Sequence, residues 1–95
     1  MSVTKTLTMV RSSTATPFFT VDNSAREHNR AVYGETGKSL GFSSEISLDR
    51  LTLTTKRSFV DQAAADEYTN DPVNVAVMQN LTAYCSANNI ALIQS

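Results

Sequence analysis

The chain has 95 residues, 41% hydrophobic and 18% charged, with a net charge of −1 and a pI near 5.7. That length makes one domain, residues 1–95, with room for a modest core and not for an elaborate catalytic unit beside it; the composition is that of a folded chain rather than a disordered one. The basic residues are scattered, which argues against nucleic acid and anionic membrane as partners, and no apolar run approaches the roughly 20 residues of a spanning helix.

Val3 to Arg11 alternates, with Val3, Leu7 and Met9 on one side and Thr4, Thr6, Thr8 and Val10 on the other, the period of a strand. Ser12 to Thr16 is a small-residue loop, and Pro17-Phe18-Phe19 folds back as a hydrophobic plug or runs as a short edge strand. Ser24-Ala-Arg-Glu27 has capping-box spacing, which predicts a helix from Ala25 to Tyr33, with Ala25, Val32 and Tyr33 as its apolar stripe and Gly34 and Gly37 ending it. Phe42 to Leu48 and Leu51 to Lys56 alternate as two strands of a hairpin. With Asp49-Arg50 as the loop, Leu48 faces Leu51 and Ile46 faces Leu53; Asp-Arg is a poor pair for so tight a turn, which leaves a longer loop open.

Asp61 to Tyr68 reads as a short helix, and Asp71-Pro72 as a fresh start, because Asp accepts from the orphan N–H groups and Pro suits the first helical position. From there Val73, Ala76, Val77, Leu81, Tyr84 and Cys85 keep helical spacing, with Asn80 and Asn88 as polar members of the stripe and Asn74, Gln79, Thr82 and Ser86 opposite. Asn88-Asn89 suits a left-handed cap, and Ile90 to Ile93 a last strand. The order strand, helix, strand, strand, helix, strand predicts an α+β, ferredoxin-like βαββαβ domain: an antiparallel sheet with two helices on one face, the second helix long and broken near Asp71-Pro72.

The stretch Leu51 to Ile90, with its strand ending in Phe59, acidic-capped helix, Asp-Pro restart and short last strand, resembles the second half of the dimeric α/β-barrel proteins. The resemblance implies a homodimer, and compact aromatic or haem-like ligands where a ligand is bound. The sheet face away from the helices would carry Thr4, Thr6, Thr8, Ser43, Ser47, Thr52 and Thr54, more polar than face-to-face pairing of two sheets calls for. The N-terminal half resembles small uncharacterised proteins of tailed bacteriophages.

Candidate chemistry is sparse. Gly37-Lys38-Ser39 reproduces the end of a phosphate-binding P-loop, but Val32 stands where the first Gly belongs, and a helix precedes where a strand is needed. His28 is the sole histidine, which excludes a multi-histidine metal site, and no carboxylate or nucleophile is placed beside it. Cys85 falls on the buried stripe, where a thiol acts as a small hydrophobe. Asp66, Glu67 and Asp71 lack the ligand spacing and Gly of a calcium loop and read as capping and solvated surface. Asn80-Leu-Thr82 is a sequon inside a helix. Tyr33, Tyr68 and Tyr84 fit the core better than a pocket, and Thr and Ser on the open sheet face offer RNA bases nothing to stack on.

The leading expectation is therefore a non-catalytic protein that works by association, as a homo-oligomer, chiefly a dimer, or as a subunit of a larger assembly such as a phage particle, with no cofactor and no metal. The rival is a ligand-binding protein or enzyme of the dimeric α/β-barrel kind, its pocket between sheet and helices near Phe18, Phe19, His28 and Tyr68. A single cysteine and a start, Met1 to Leu7, without the apolar core of a signal peptide predict a reducing cytoplasm, the host's or else a virion if the chain is phage-encoded.

Overall fold

A computed structural model describes residues 2–95. Four strands, β1 (Val3–Val10), β2 (Ser39–Ile46), β3 (Thr52–Phe59) and β4 (Ala91–Gln94), form one sheet in the order β2-β3-β1-β4 with every pairing antiparallel. Between them run α1 (Asn23–Asn29), continued by a π-helical turn at Arg30–Gly34, then α2 (Gln62–Asn70) and α3 (Pro72–Ala87). This is the ferredoxin-like α+β arrangement, with the second helix broken where Asp71-Pro72 places the break.

Strand register decides which side chains meet the helices. Val3 lies opposite Phe59, Lys5 opposite Arg57, Leu7 opposite Thr55 and Met9 opposite Leu53; this is the helix side, because Met9 and Phe59 are buried there. Thr4, Thr6 and Thr8 pair with Ser58, Lys56 and Thr54 on the other side, which is the hydroxyl-rich open face read from the alternation.

The helix side holds two core clusters. In one, Met9 and Ile90 pack with Leu81 and Cys85 of α3, supported by Leu7, Leu53, Met78, Tyr84 and Leu92. In the other, Ala64 and Ala65 of α2 pack over Phe59, with Val3 and Tyr68 beside them. The small Ala side chains let α2 come down onto a fully buried Phe59 ring.

Several local expectations change. The Ile46–Leu53 register is as expected, but the turn is the longer one: Arg50 N–H donates to the Ser47 carbonyl, Asp49 accepts from Leu51 N–H, and Arg50 sits at φ 62. Leu48 is thrown out into solvent and does not complete an apolar hairpin face. The first helix begins earlier than its Ser24–Glu27 pattern suggests, with Asp22 at the cap position accepting Arg26 N–H through its backbone; Glu27 pairs instead with Arg30. On α3 the buried face is Asn74, Leu81 and Cys85 with Met78 beside them, while Ala76 is exposed, so Asn74 is a core residue and not part of the solvated face. The helix closes as expected with Asn89 at φ 57, Asn88 N–H bonded to Tyr84 O and Ile90 N–H to Cys85 O.

Candidate functional site

The break between α2 and α3 gathers most of the polar chemistry in the molecule. Asp71 is extended (φ −62, ψ 127) and its side chain caps α3, Oδ1 accepting Val73 N–H at 2.9 Å, while Pro72 takes the first helical position, where no N–H is missed. The second oxygen faces α1. Oδ2 accepts the Tyr33 hydroxyl at 2.6 Å and, as an ionised carboxylate can only accept, His28 Nε2–H at 2.7 Å. The hydrogen bonds from His28 and then Tyr33 hold the Asp71 carboxyl below the usual carboxylate range. Burial, then the contact with Asp71, pushes the Tyr33 phenol upward. One helical turn from Asp71, Asn74 and Asn29 exchange amide hydrogen bonds at 2.8 and 2.9 Å, and Asn74 also donates to Tyr68 O. Both amides are buried and fully partnered, a pair that fixes α1 against α3.

From this network a line of rings runs to the sheet edge. His28 and Tyr33 lie 6.4 Å apart between centroids, Tyr33 and Tyr68 5.1 Å, and Phe59 and Tyr68 5.1 Å. The Arg57 guanidinium then sits 5.1 Å from the Tyr68 ring and 5.0 Å from that of Phe42 on β2.

Of the four residues named from sequence, two belong here. His28 and Tyr68 flank Tyr33, whereas Phe18 and Phe19 pack on the Met9–Leu81 cluster. Phe19 is tilted against Tyr84 at 5.7 Å, Tyr84 donates to Pro17 O at 2.6 Å, and Arg11 lies over Phe18. Pro17-Phe18-Phe19 is thus a plug in an irregular segment, and Phe18 and Phe19 pack on a different core cluster from Tyr68. Sequence reasoning left His28 without a carboxylate and read Asp71 only as a cap; the pair is separated by 43 residues, and no local pattern encodes it. Asn29 carried a weak signal, since Ala25, Asn29 and Tyr33 share one helical stripe.

His28, held by the largely buried Asp71 carboxylate, has the geometry of an oriented histidine. Its side chain is one-third exposed, at 33%, and neither of two shallow surface hollows reaches it: one is lined by Lys38, Val60, Asp61 and Glu67, the other lies on the open face at Thr4, Ser43, Lys56 and Ser58. Cys85 lies in the other cluster, its thiol pushed up by burial. Among the described residues no group of three or more His, Cys, Asp or Glu is placed to hold a metal, and no helix is long and apolar enough to cross a membrane. The His28–Asp71–Tyr33 arrangement joins the first helical segment to the junction of α2 and α3.

No protein-family model matches the chain, and no curated protein matches it in sequence. Among solved structures it is similar to a dimeric ferredoxin-like protein of unknown function from Jannaschia sp. CCS1, at 17% identity and a TM-score of 0.57 over 97% of this chain and 96% of that one. Looser likenesses are Rv0793 from Mycobacterium tuberculosis (12% identity, TM-score 0.45, covering 97% and 91%) and NE2512, a protein of unknown function from Nitrosomonas europaea (14%, 0.46, covering 100% and 90%). At these identities the likeness to the first is one of fold, the ferredoxin-like fold that the strand order shows independently.

Proposed function

We propose that the chain is a non-catalytic association domain that pairs with a second copy of itself along strand β2. The observation that carries this reading is the state of that strand. β2 is an edge of the sheet, eight residues long, and all but its first residue are exposed. Of the seven large apolar side chains exposed among the described residues, Leu40, Phe42, Ile46 and Leu48 belong to β2 or the turn after it.

Edge strands that stay single are guarded with Lys, Pro or inward charge. Ser39-Leu-Gly-Phe-Ser-Ser-Glu-Ile46 has neither Lys nor Pro, and its one irregularity, at Ser39/Gly41, leaves the rest of the strand regular. A second copy is the occupant that fits: an antiparallel β2–β2 pair is isologous, satisfies the outward backbone groups of both strands and brings the apolar rows together. A ferredoxin-like protein of similar shape over nearly its whole length is dimeric, which supports self-association. The open face is dominated by Thr and Ser, with Ile93 as its exposed large apolar side chain beside Thr8.

Amide hydrogen exchange tests the assignment locally. Outward-facing β2 amides that exchange slowly at high protein concentration and quickly on dilution support pairing with another chain; rapid exchange at every concentration contradicts it.

A further inference from the structure

Lys5 and Arg57 stand directly opposite each other on β1 and β3, on the helix side of the sheet, where like charges in register repel. Neither takes part in an ion pair among the described residues, although Arg30 and Lys38 both do. The Arg57 guanidinium makes one hydrogen bond, Nη1 to Ser39 Oγ at 3.4 Å, so most of its donors remain unused. It is nevertheless held in place, between the Phe42 ring at 5.0 Å and the Tyr68 ring at 5.1 Å. Lys5 is exposed and Phe42 is 58% exposed, so the spot is reachable from solvent.

We propose that Arg57 and Lys5, walled by Phe42 and Tyr68, form a binding site for a small planar carboxylate with an apolar body. Two adjacent cations without a carboxylate cost stability in the free chain, and a bound anion relieves that cost. The guanidinium fork suits a carboxylate bidentately, and Lys5 supplies the second positive charge. The exposed part of the Phe42 ring gives the apolar body of the ligand a surface to lie on. Phe42 belongs both to the exposed row of β2 and to this site, so the Lys5 and Arg57 variants, which lie off β2, are what separate this proposal from self-association.

An NMR titration with sodium benzoate at fixed ionic strength tests it. The expected result is saturable binding with shifts centred on Lys5, Phe42, Arg57 and Tyr68, weakened about tenfold or more in both Arg57→Gln and Lys5→Gln. Arg57→Lys keeps the charge but loses the fork, and weakens binding as well. Thermal melts of each variant establish that it is folded. The proposal is overturned by the absence of saturable shifts at millimolar benzoate, by equal binding to Arg57→Gln, or by inorganic phosphate displacing benzoate at lower concentration than benzoate itself binds. It is equally overturned if wild type binds no benzoate while Arg57→Gln lowers the oligomeric mass, which would give the arginine to the protein interface.

Discussion

The hydroxyl of Tyr33, at the end of the first helical segment, donates to Asp71 Oδ2 at 2.6 Å across 38 residues of sequence. With His28 on the same oxygen and Val73 N–H on the other, one residue closes α2 through its backbone N–H on Tyr68 O and, through its side chain, starts α3 and anchors α1. Asp71→Ala removes the cap and leaves the Tyr33 hydroxyl only its longer contact with Glu67 O at 3.3 Å, so it should cost about 1–3 kcal/mol, more than the ~1 kcal/mol of a simple cap. Pro72→Ala should change stability by less than about 0.5 kcal/mol, because the ring occupies a position with no helical N–H bond to lose. Urea titration of the two variants checks both; a strongly stabilised Pro72→Ala would mean that the proline interrupts the helix instead of starting it.

The same residues bound the pH range of stability. Asp71 has its carboxyl pK lowered by His28 and then Tyr33, so the native chain binds fewer protons than the unfolded one in acid, and stability falls as pH drops below about 4. The Tyr33 phenol is raised by burial and by Asp71. Its native form keeps a proton that the unfolded chain loses, and stability falls as pH rises above about 10. Tyr33→Phe should flatten the alkaline limb and, because it removes one of the two side-chain hydrogen bonds that lower Asp71, make the acid limb shallower without abolishing it. Denaturation midpoints across pH measure this; an unchanged alkaline limb in Tyr33→Phe would place its cause elsewhere.

Asn29 and Asn74 should behave as one unit. Removing Asn74 strands the Asn29 amide and removing Asn29 leaves Asn74 only its bond to Tyr68 O, each at about 1–3 kcal/mol, while the double variant Asn29→Ala/Asn74→Ala should cost clearly less than the sum of the two. A double-mutant cycle gives the coupling, and additive losses would show that the amides do not depend on each other.

In the core, Leu81→Ala should cost about 2–5 kcal/mol by opening a cavity between α3 and Met9. Thr82→Ala, on the exposed side of the same helix, should be nearly neutral. Equal effects at the two positions in denaturant titration would contradict the packing.

Much of the fold is legible in the sequence because strands and helices repeat at different periods. Alternation at Ile46 and Leu53 sets the hairpin register, and Asp71-Pro72 marks a helix start through backbone chemistry alone. The candidate site was less legible. Asn74 reads as part of the solvated face because it is polar, and only its partner Asn29, 45 residues away, makes its burial favourable. His28 found its carboxylate in the same non-local way. Leu48 went wrong for the opposite reason: its apolar character fitted the strand pattern, but the turn geometry set by Asp49 and Arg50 projects it into solvent. Phe18 and Tyr68, grouped as aromatic neighbours of the helices, fall into separate core clusters.

Self-association through β2 is tested most directly by the solution mass of the wild-type chain beside an Ile46→Lys/Leu48→Lys variant, measured by light scattering during size-exclusion chromatography at high micromolar concentration. Both positions are exposed, and neither touches the Arg57 clamp, so the variant should stay folded by circular dichroism. The expected result is twice the 10.3 kDa chain mass for wild type and a single chain mass for the variant. A monomeric wild type, or a variant that remains a dimer, would contradict the account.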